Sequence, residues 1–138
     1  MSLAGQAVVA IWNGIAPEGR TEFYEWHNRE HMPERVGIPG FRRGRRYIAK
    51  YGAPEFFTLY EATGTDVLAG PHYLERLNNP TPLTRHVIPK YFHNMVRGVC
   101  EVRFSHVDGR WLRQPATLLR WRPDRSPDEC GLDQLRFD

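Results

Sequence analysis

Short apolar runs separated by polar and Gly/Pro-rich stretches predict a chain in which strands alternate with helices. Gln6–Trp12 is short, apolar and rich in β-branched residues, and it ends at Asn13-Gly14, which is typical of a first strand. Pro17 and an early glutamate then indicate the start of a helix, because proline and acidic residues suit the first helical turn. We expect this helix to run to about Arg35 and to stop at the glycines and proline that follow.

The rest of the chain predicts the order strand, strand, helix, strand. Phe41–Tyr51 and Glu55–Ala62 flank a short Gly/Pro connection and are interpreted as a hairpin. Later segments predict a helix over 65–77, a short helix over 83–91 and a long last strand over 95–106. Gly70-Pro71 is expected to distort or delay the helix in which it lies.

This order indicates an α+β fold of the ferredoxin-like βαββαβ kind. Such a unit is a four-stranded antiparallel sheet with its helices on one face. The predicted domain covers residues 6–108, and residues 109–138 form a C-terminal extension.

The predicted strands are apolar on both faces, although helices cover only one. In the first strand, Val8, Ala10 and Trp12 alternate with Ala7, Val9 and Ile11. Leaving four or five large side chains exposed forgoes very roughly 6–15 kcal/mol, which rivals the stability of a small domain. We therefore expect a homodimer in which two sheets pack face to face.

The C-terminal extension contains a segment that echoes the first strand. Ala116–Trp121 repeats the spacing of alanine and tryptophan found in Ala7–Trp12. Three interpretations remain open: the start of a partial second repeat, an extra strand at a sheet edge, and a tail that packs on the partner subunit.

Composition limits the class of protein. The chain has 138 residues, of which 41% are hydrophobic, so it is long enough for one domain with a core. Its apolar runs are too short to span a bilayer, and no basic residue precedes an apolar stretch at the N-terminus, so neither a membrane nor a secretory signal is predicted. Cys100 and Cys130 are interpreted as reduced thiols, which favours a cytoplasmic protein.

Two local motifs suggest chemistry that the wider sequence does not support. Arg42–Arg46 mixes basic and aromatic neighbours, but strand alternation divides its arginines between two faces and the stacking motif of RNA-binding sheets is missing, so no nucleic-acid partner is predicted. His27-Asn28-Arg29-Glu30-His31 matches the inverted zinc-protease signature. A domain of about a hundred residues is too small for such a protease, so no metal or other cofactor is predicted.

The segment Trp26–Arg35, followed by Ile38–Phe41 and Arg45–Tyr47, resembles the dimeric α+β barrel superfamily, in particular its EthD-like members. The shared pattern is a helix with tryptophan, a His-x-Pro near its end, and Pro-Gly-Phe leading into a strand with arginine and tyrosine. The resemblance spans roughly residues 6–106. It implies a barrel made of two facing sheets and a small pocket between helices and sheet in each subunit.

The resemblance also implies roles for individual residues. His31 would be the pocket histidine and would move a proton, while Arg46 and Tyr47 would stabilise an oxyanion. The residues expected to contact a small apolar or aromatic ligand are Trp12, Trp26, His27 and Phe57. Two functions stay open: a cofactor-independent enzyme of the monooxygenase, isomerase or dehydratase kind, and a non-catalytic ligand-binding or accessory barrel protein.

Overall fold

The computed structural model describes residues 3–106 and 116–121. Its strands are β1 (Ala7–Ile15), β2 (Phe41–Ile48), β3 (Phe56–Ala62), β4 (Phe92–His106) and β5 (Ala116–Trp121). Its α-helices are α1 (Arg20–Trp26), α2 (Met32–Val36), α3 (Thr65–Leu68), α4 (Pro71–Asn78) and α5 (Pro82–Tyr91). A 3₁₀ turn, Pro17–Gly19, precedes α1, and a π-helical turn, His27–His31, joins α1 to α2.

The strands form one antiparallel sheet in the order β2-β3-β1-β4-β5. The predicted α+β class and its four-stranded antiparallel sheet are confirmed. β5 pairs with the outer side of β4 and lies in the predicted extension. The boundary between domain and extension stays a prediction, and residues 107–115 and 122–138, including Cys130, lie outside the described residues.

Helices pack against one face of the sheet. β1 contributes Val9 and Ile15 to that side, and β3 contributes Phe56 and Tyr60. Their partners from the helices include Phe23, Trp26, Leu68, Tyr73 and Val87, and all of these side chains are buried. The first helix, which comprises α1, the π-helical turn and α2, is further joined to α5. Trp26 Nε1 donates a hydrogen bond of 3.1 Å to Thr84 Oγ1.

The second face of the sheet is less exposed than the sequence led us to expect. Val8, Ala10, Phe57, Leu59 and Cys100 form its centre, and each is buried within a single chain. Among the described residues, the large apolar side chains that stay exposed on this face lie at the two ends of one row of paired residues across the sheet. They are Tyr47, which is 37% exposed, and Val96, which is 51% exposed. A second copy would therefore cover this row and not the whole face.

Several element boundaries differ from the sequence expectation for local reasons. β1 continues to Ile15 with a shift in its pairing to β4 between Trp12 and Gly14. The helix predicted over 65–77 is divided into α3 and α4, as expected for a Gly70-Pro71 pair, since Pro71 opens the second helix. In the part of the chain that is described, no helix is long and apolar enough to cross a membrane.

Candidate functional site

A small cavity lies between the first helix and the sheet. Its volume is about 40 Å³, which is room for a few waters. Met95, which is 49% exposed, marks its mouth on β4. The residues that line it come from β1, the first helix, β3, α5 and β4: Ile11, Asn13, Trp26, His27, His31, Thr58, Tyr60, Ile88, Phe92 and Met95.

Two buried polar atoms of this cavity have no hydrogen-bond partner among the described residues. They are Nδ1 of His31 and the hydroxyl of Tyr60. His31 is 7% exposed and Tyr60 is 2% exposed, so bulk water does not solvate them. A buried polar group left unpaired costs about 1–3 kcal/mol, so a water or a ligand in this cavity would be stabilised by pairing with these two atoms.

The two histidines are placed by the π-helical turn. The N–H of Met32 donates to the carbonyl of His27, a bond that spans five residues instead of four. Across this turn the rings of Trp26 and His31 stack with centroids 4.4 Å apart, and the rings of His27 and His31 lie 5.8 Å apart. π turns inside α-helices occur frequently at functional sites.

Arg46 approaches the site from β2 and fixes the protonation of His27. Its Nη1 lies 2.7 Å from Nδ1 of His27. Because a guanidinium only donates, Nδ1 accepts, and the neutral ring carries its proton on Nε2. The guanidinium also lies over the ring of Tyr24, 4.7 Å from its centroid. Within residues 3–106 and 116–121 no carboxylate lies within ion-pair distance of Arg46, and burial lowers its pKa.

Both histidines are neutral in the folded protein near pH 7. Burial, together with the charge of Arg46, lowers the pKa of His27 to about 3. Burial is also the main reason that the pKa of His31 falls to about 2, with smaller contributions from Arg35 and His27. The hydroxyl of Tyr60 keeps its proton as well, because burial raises its pKa. The cavity therefore offers neutral donors and acceptors.

The predicted site residues fall into two groups on opposite faces of the sheet. His27, His31 and Trp26 line the cavity, and Arg46 contacts Nδ1 of His27 without being one of the lining residues. Tyr47, Phe57 and Trp12 lie together on the second face: the centroids of Tyr47 and Phe57 are 5.9 Å apart, and those of Phe57 and Trp12 are 4.9 Å apart. The reason is strand alternation, which sends the side chains of consecutive residues such as Arg46 and Tyr47 to opposite faces.

Sequence reasoning missed three polar residues of the cavity: Asn13, Thr58 and Tyr60. All three are buried. Side-chain alternation along β1 and β3 could have identified them, because it places all three on the helix-facing side among apolar neighbours. Gly44 makes room for one of them, since it pairs with Tyr60 across the ladder and a Cβ there would come within 3.0 Å of the tyrosine ring.

The acidic residue of the H-x-x-E-H motif is in contact with the start of α5. Glu30, the acid of the H-x-x-E-H motif, accepts a hydrogen bond from the hydroxyl of Thr81 at the start of α5. No group of three His, Cys, Asp or Glu side chains suited to a metal occurs in the described part of the chain.

A wider depression of about 430 Å³ between α1 and α5 is less suited to a specific ligand. Its polar side chains already have partners. Glu25 pairs with Arg29 at 3.1 Å, and Glu22 lies 3.4 Å from His86. The cavity under the first helix, with its two unpaired atoms, is therefore the candidate site.

Comparison with known proteins gives short similarities only. No family model and no solved structure matches the chain. DNA ligase C1 of Mycolicibacterium smegmatis (strain ATCC 700084 / mc(2)155) is 48% identical over 42 residues, which cover 27% of this chain and 12% of the ligase. DNA ligase C2 of the same organism is 49% identical over 35 residues, which cover 25% of this chain and 10% of that ligase. The chain thus spans about a tenth of the length of these relatives.

Proposed function

We propose that this protein binds a small apolar or aromatic molecule through a hydroxyl or carbonyl group, and that His31 exchanges a proton with that group. The observation that carries the proposal is the pair of unpaired buried atoms, Nδ1 of His31 and the hydroxyl of Tyr60, at one cavity. A ligand hydroxyl both donates and accepts, so it can satisfy both atoms at once.

The charges around the cavity favour a ligand that can become an anion. None of the described residues that line it carries a carboxylate. Arg46 places a positive charge next to Nδ1 of His27, and the Nε2–H of the same ring is available as a donor. Burial lowers the pKa of His31 to about 2, so the ring takes a proton from a phenol or enol only as the oxyanion forms beside it. The two opposite charges then stabilise each other, and fixed donors near the oxyanion add to this. Such a transfer needs only the imidazole, so the proposed reaction is cofactor-free.

The size of the cavity limits which part of the ligand enters. A volume of about 40 Å³ holds a hydroxyl or carbonyl and little more. The apolar body of the ligand would then lie at the mouth against Ile88, Phe92 and Met95, of which Met95 is the most exposed. A pocket of this kind, apolar at its mouth and polar at its end, orients a ligand in one direction.

A matched pair of fluorinated probes tests this proposal. We expect 4-fluorophenol to bind about 10-fold more tightly than 4-fluorotoluene, which lacks the hydroxyl, because one well-placed hydrogen bond contributes up to about 1.4 kcal/mol, the free energy of a tenfold change in affinity. The measurement is ¹⁹F NMR titration. In His31→Phe the preference should disappear. Equal affinity of both probes for the unmodified protein would contradict the proposal.

The same cavity in a non-catalytic ligand-binding protein would give the same preference without proton transfer. Deuterium uptake at the acidic carbon of acetylacetone separates the two functions. An enzyme is expected to accelerate this exchange and to lose the acceleration in His31→Phe, whereas a binding protein leaves the rate unchanged.

We propose further that the chain is a ferredoxin-like unit of the dimeric α+β barrel kind, similar to EthD-like proteins. Strand order β2-β3-β1-β4 and the βαββαβ succession support this interpretation. The short stretch shared with two ligases covers about a quarter of the chain, which is too little to support a DNA-joining function. The cytoplasmic location stays a prediction from the sequence.

The proposed homodimer would use one row of the second face, here named the aromatic row: Tyr47, Phe57, Trp12 and Val96. These residues are paired in register across β2, β3, β1 and β4. Light scattering is expected to give about twice the chain mass of 16.1 kDa. A charge in the row, Val96→Glu, should shift the protein toward the monomer, while Leu83→Glu on α5 should not. A monomer at tens of micromolar protein would contradict the dimer.

A further inference from the structure

The first helix changes its geometry over one short segment. At its start the N–H of His27 donates to the carbonyls of Phe23 and Tyr24, as in an ordinary helix. One turn later, Met32 donates to His27 across five residues. Ordinary geometry then returns, and Gly37 donates to the carbonyl of Pro33 at 2.9 Å. The widened turn, His27–His31, is therefore a local insertion in an otherwise regular helix.

Pro33 supplies a physical cause for this insertion. Proline has no N–H, and in an α-helix its ring collides with the carbonyl four residues earlier. For Pro33 that carbonyl belongs to Arg29, which lies in the middle of the π turn. A widened turn at this point relieves such a collision, because it does not hold the carbonyl in the α-helical position against the ring. The position of the turn thus follows from the position of the proline.

The widened turn decides where His31 points. Five residues separate Trp26 from His31, which is about 1.4 turns of an α-helix and would place the two rings on different sides. In the structure they stack with centroids 4.4 Å apart. Trp26 is held in place by its bond to Thr84, so the direction of the His31 ring relative to the cavity depends on the geometry between them.

We propose that Pro33 is a positioning residue that aims His31 into the cavity by forcing the π turn. Pro33 is exposed and does not line the cavity. Its effect on the site therefore passes through the backbone alone. Only the expected loss of ligand affinity rests on the proposed function. The effect of Pro33 on the direction of the His31 ring is argued from the helix geometry alone.

Pro33→Ala tests the inference, with the exposed Pro39→Ala outside the helix as the matched control. In Pro33→Ala the N–H of residue 33 can donate to Arg29, and the helix is expected to become α-helical throughout. The ring protons of His31 should lose the upfield NMR shift and the nuclear Overhauser contacts that stacking on Trp26 produces. The affinity for 4-fluorophenol should fall at least about 10-fold if one oriented hydrogen bond is lost. Pro39→Ala should change neither.

A second variant keeps the test independent of general damage to the helix. Deleting the exposed Asn28 in the Pro33→Ala background places Trp26 and His31 four residues apart, where an α-helix puts them on one face. The stacking signals should return. Unchanged stacking in Pro33→Ala, or no return in the deletion variant, would overturn the inference. Loss of stacking with unchanged probe affinity would support the positioning by Pro33 and contradict the proposed role of His31.

Discussion

Lowering the pH from 7 to 5 is expected to reduce the free energy of unfolding by about 4 kcal/mol through His27 and His31. Burial lowers the pKa of His27 to about 3 and that of His31 to about 2 in the folded protein. In the unfolded chain a histidine has a pKa of about 6.5. Each ring therefore costs about 1.4 kcal/mol for every pH unit below 6.5 while it stays neutral in the folded state.

The direction of this effect follows from proton uptake. Between pH 6.5 and 3 the unfolded chain binds protons at these rings and the folded chain does not, so acid favours unfolding. Above pH 6.5 both states carry neutral rings, and the contribution of the two histidines to stability is constant. Urea unfolding at pH 7, 6 and 5 measures the slope, and ¹⁵N NMR of the imidazoles reports their charge directly.

Substitutions show how much each histidine contributes to the change of the free energy of unfolding with pH. His27→Gln and His31→Gln should each remove about half of it, and the double variant shows what other groups contribute. If a variant does not fold, the imidazole signals of the unmodified protein still decide the matter. Rings that become charged near pH 6 in the folded protein would contradict both the prediction and the buried, neutral site.

The sheet could be predicted because its information is local. Alternation and turn residues locate β1, β2, β3 and β4 within a few residues of their positions in the structure. Gly70-Pro71 was expected to distort or delay the helix predicted over 65–77, and the structure goes further and begins a new helix at Pro71, which suits a first helical turn. What the pattern left open was how far the second face is covered within one chain.

The site was harder to predict because it depends on departures from regular geometry. A period of 3.6 residues puts Trp26 and His31 on different stripes of a helix, but the π turn stacks them. The resemblance to EthD-like proteins implied one site for Arg46 and Tyr47, although a strand sends the side chains of consecutive residues to opposite faces. Tyr60 lies in a predicted strand among apolar residues, and only its unpaired hydroxyl distinguishes it.

Removing the guanidinium of Arg43 is expected to lower the free energy of unfolding by about 3 kcal/mol, the second large effect that the structure predicts. Glu61 is fully buried on the second face beside Val8, and Arg43 binds its carboxylate through both Nε and Nη2, the latter at 2.8 Å. The backbone N–H of Ala4 donates to the same carboxylate at 2.7 Å. Among the described residues, Arg43→Met would leave the buried negative charge with one neutral donor, and urea unfolding at pH 7 measures the cost.

The cost arises from the unpaired charge and not from the loss of an arginine, and two further variants separate these causes. Arg42→Met removes the exposed neighbouring arginine on β2 and should change stability by less than about 0.5 kcal/mol. Glu61→Gln in the Arg43→Met background keeps an oxygen for the N–H of Ala4 and removes the charge, so most of the lost stability should return. A double variant as unstable as Arg43→Met would mean that packing of the arginine stem, and not its charge, stabilises this part of the second face. The buried pair lies on the same face as the aromatic row, so these measurements also show whether that face tolerates a charge only when it is paired.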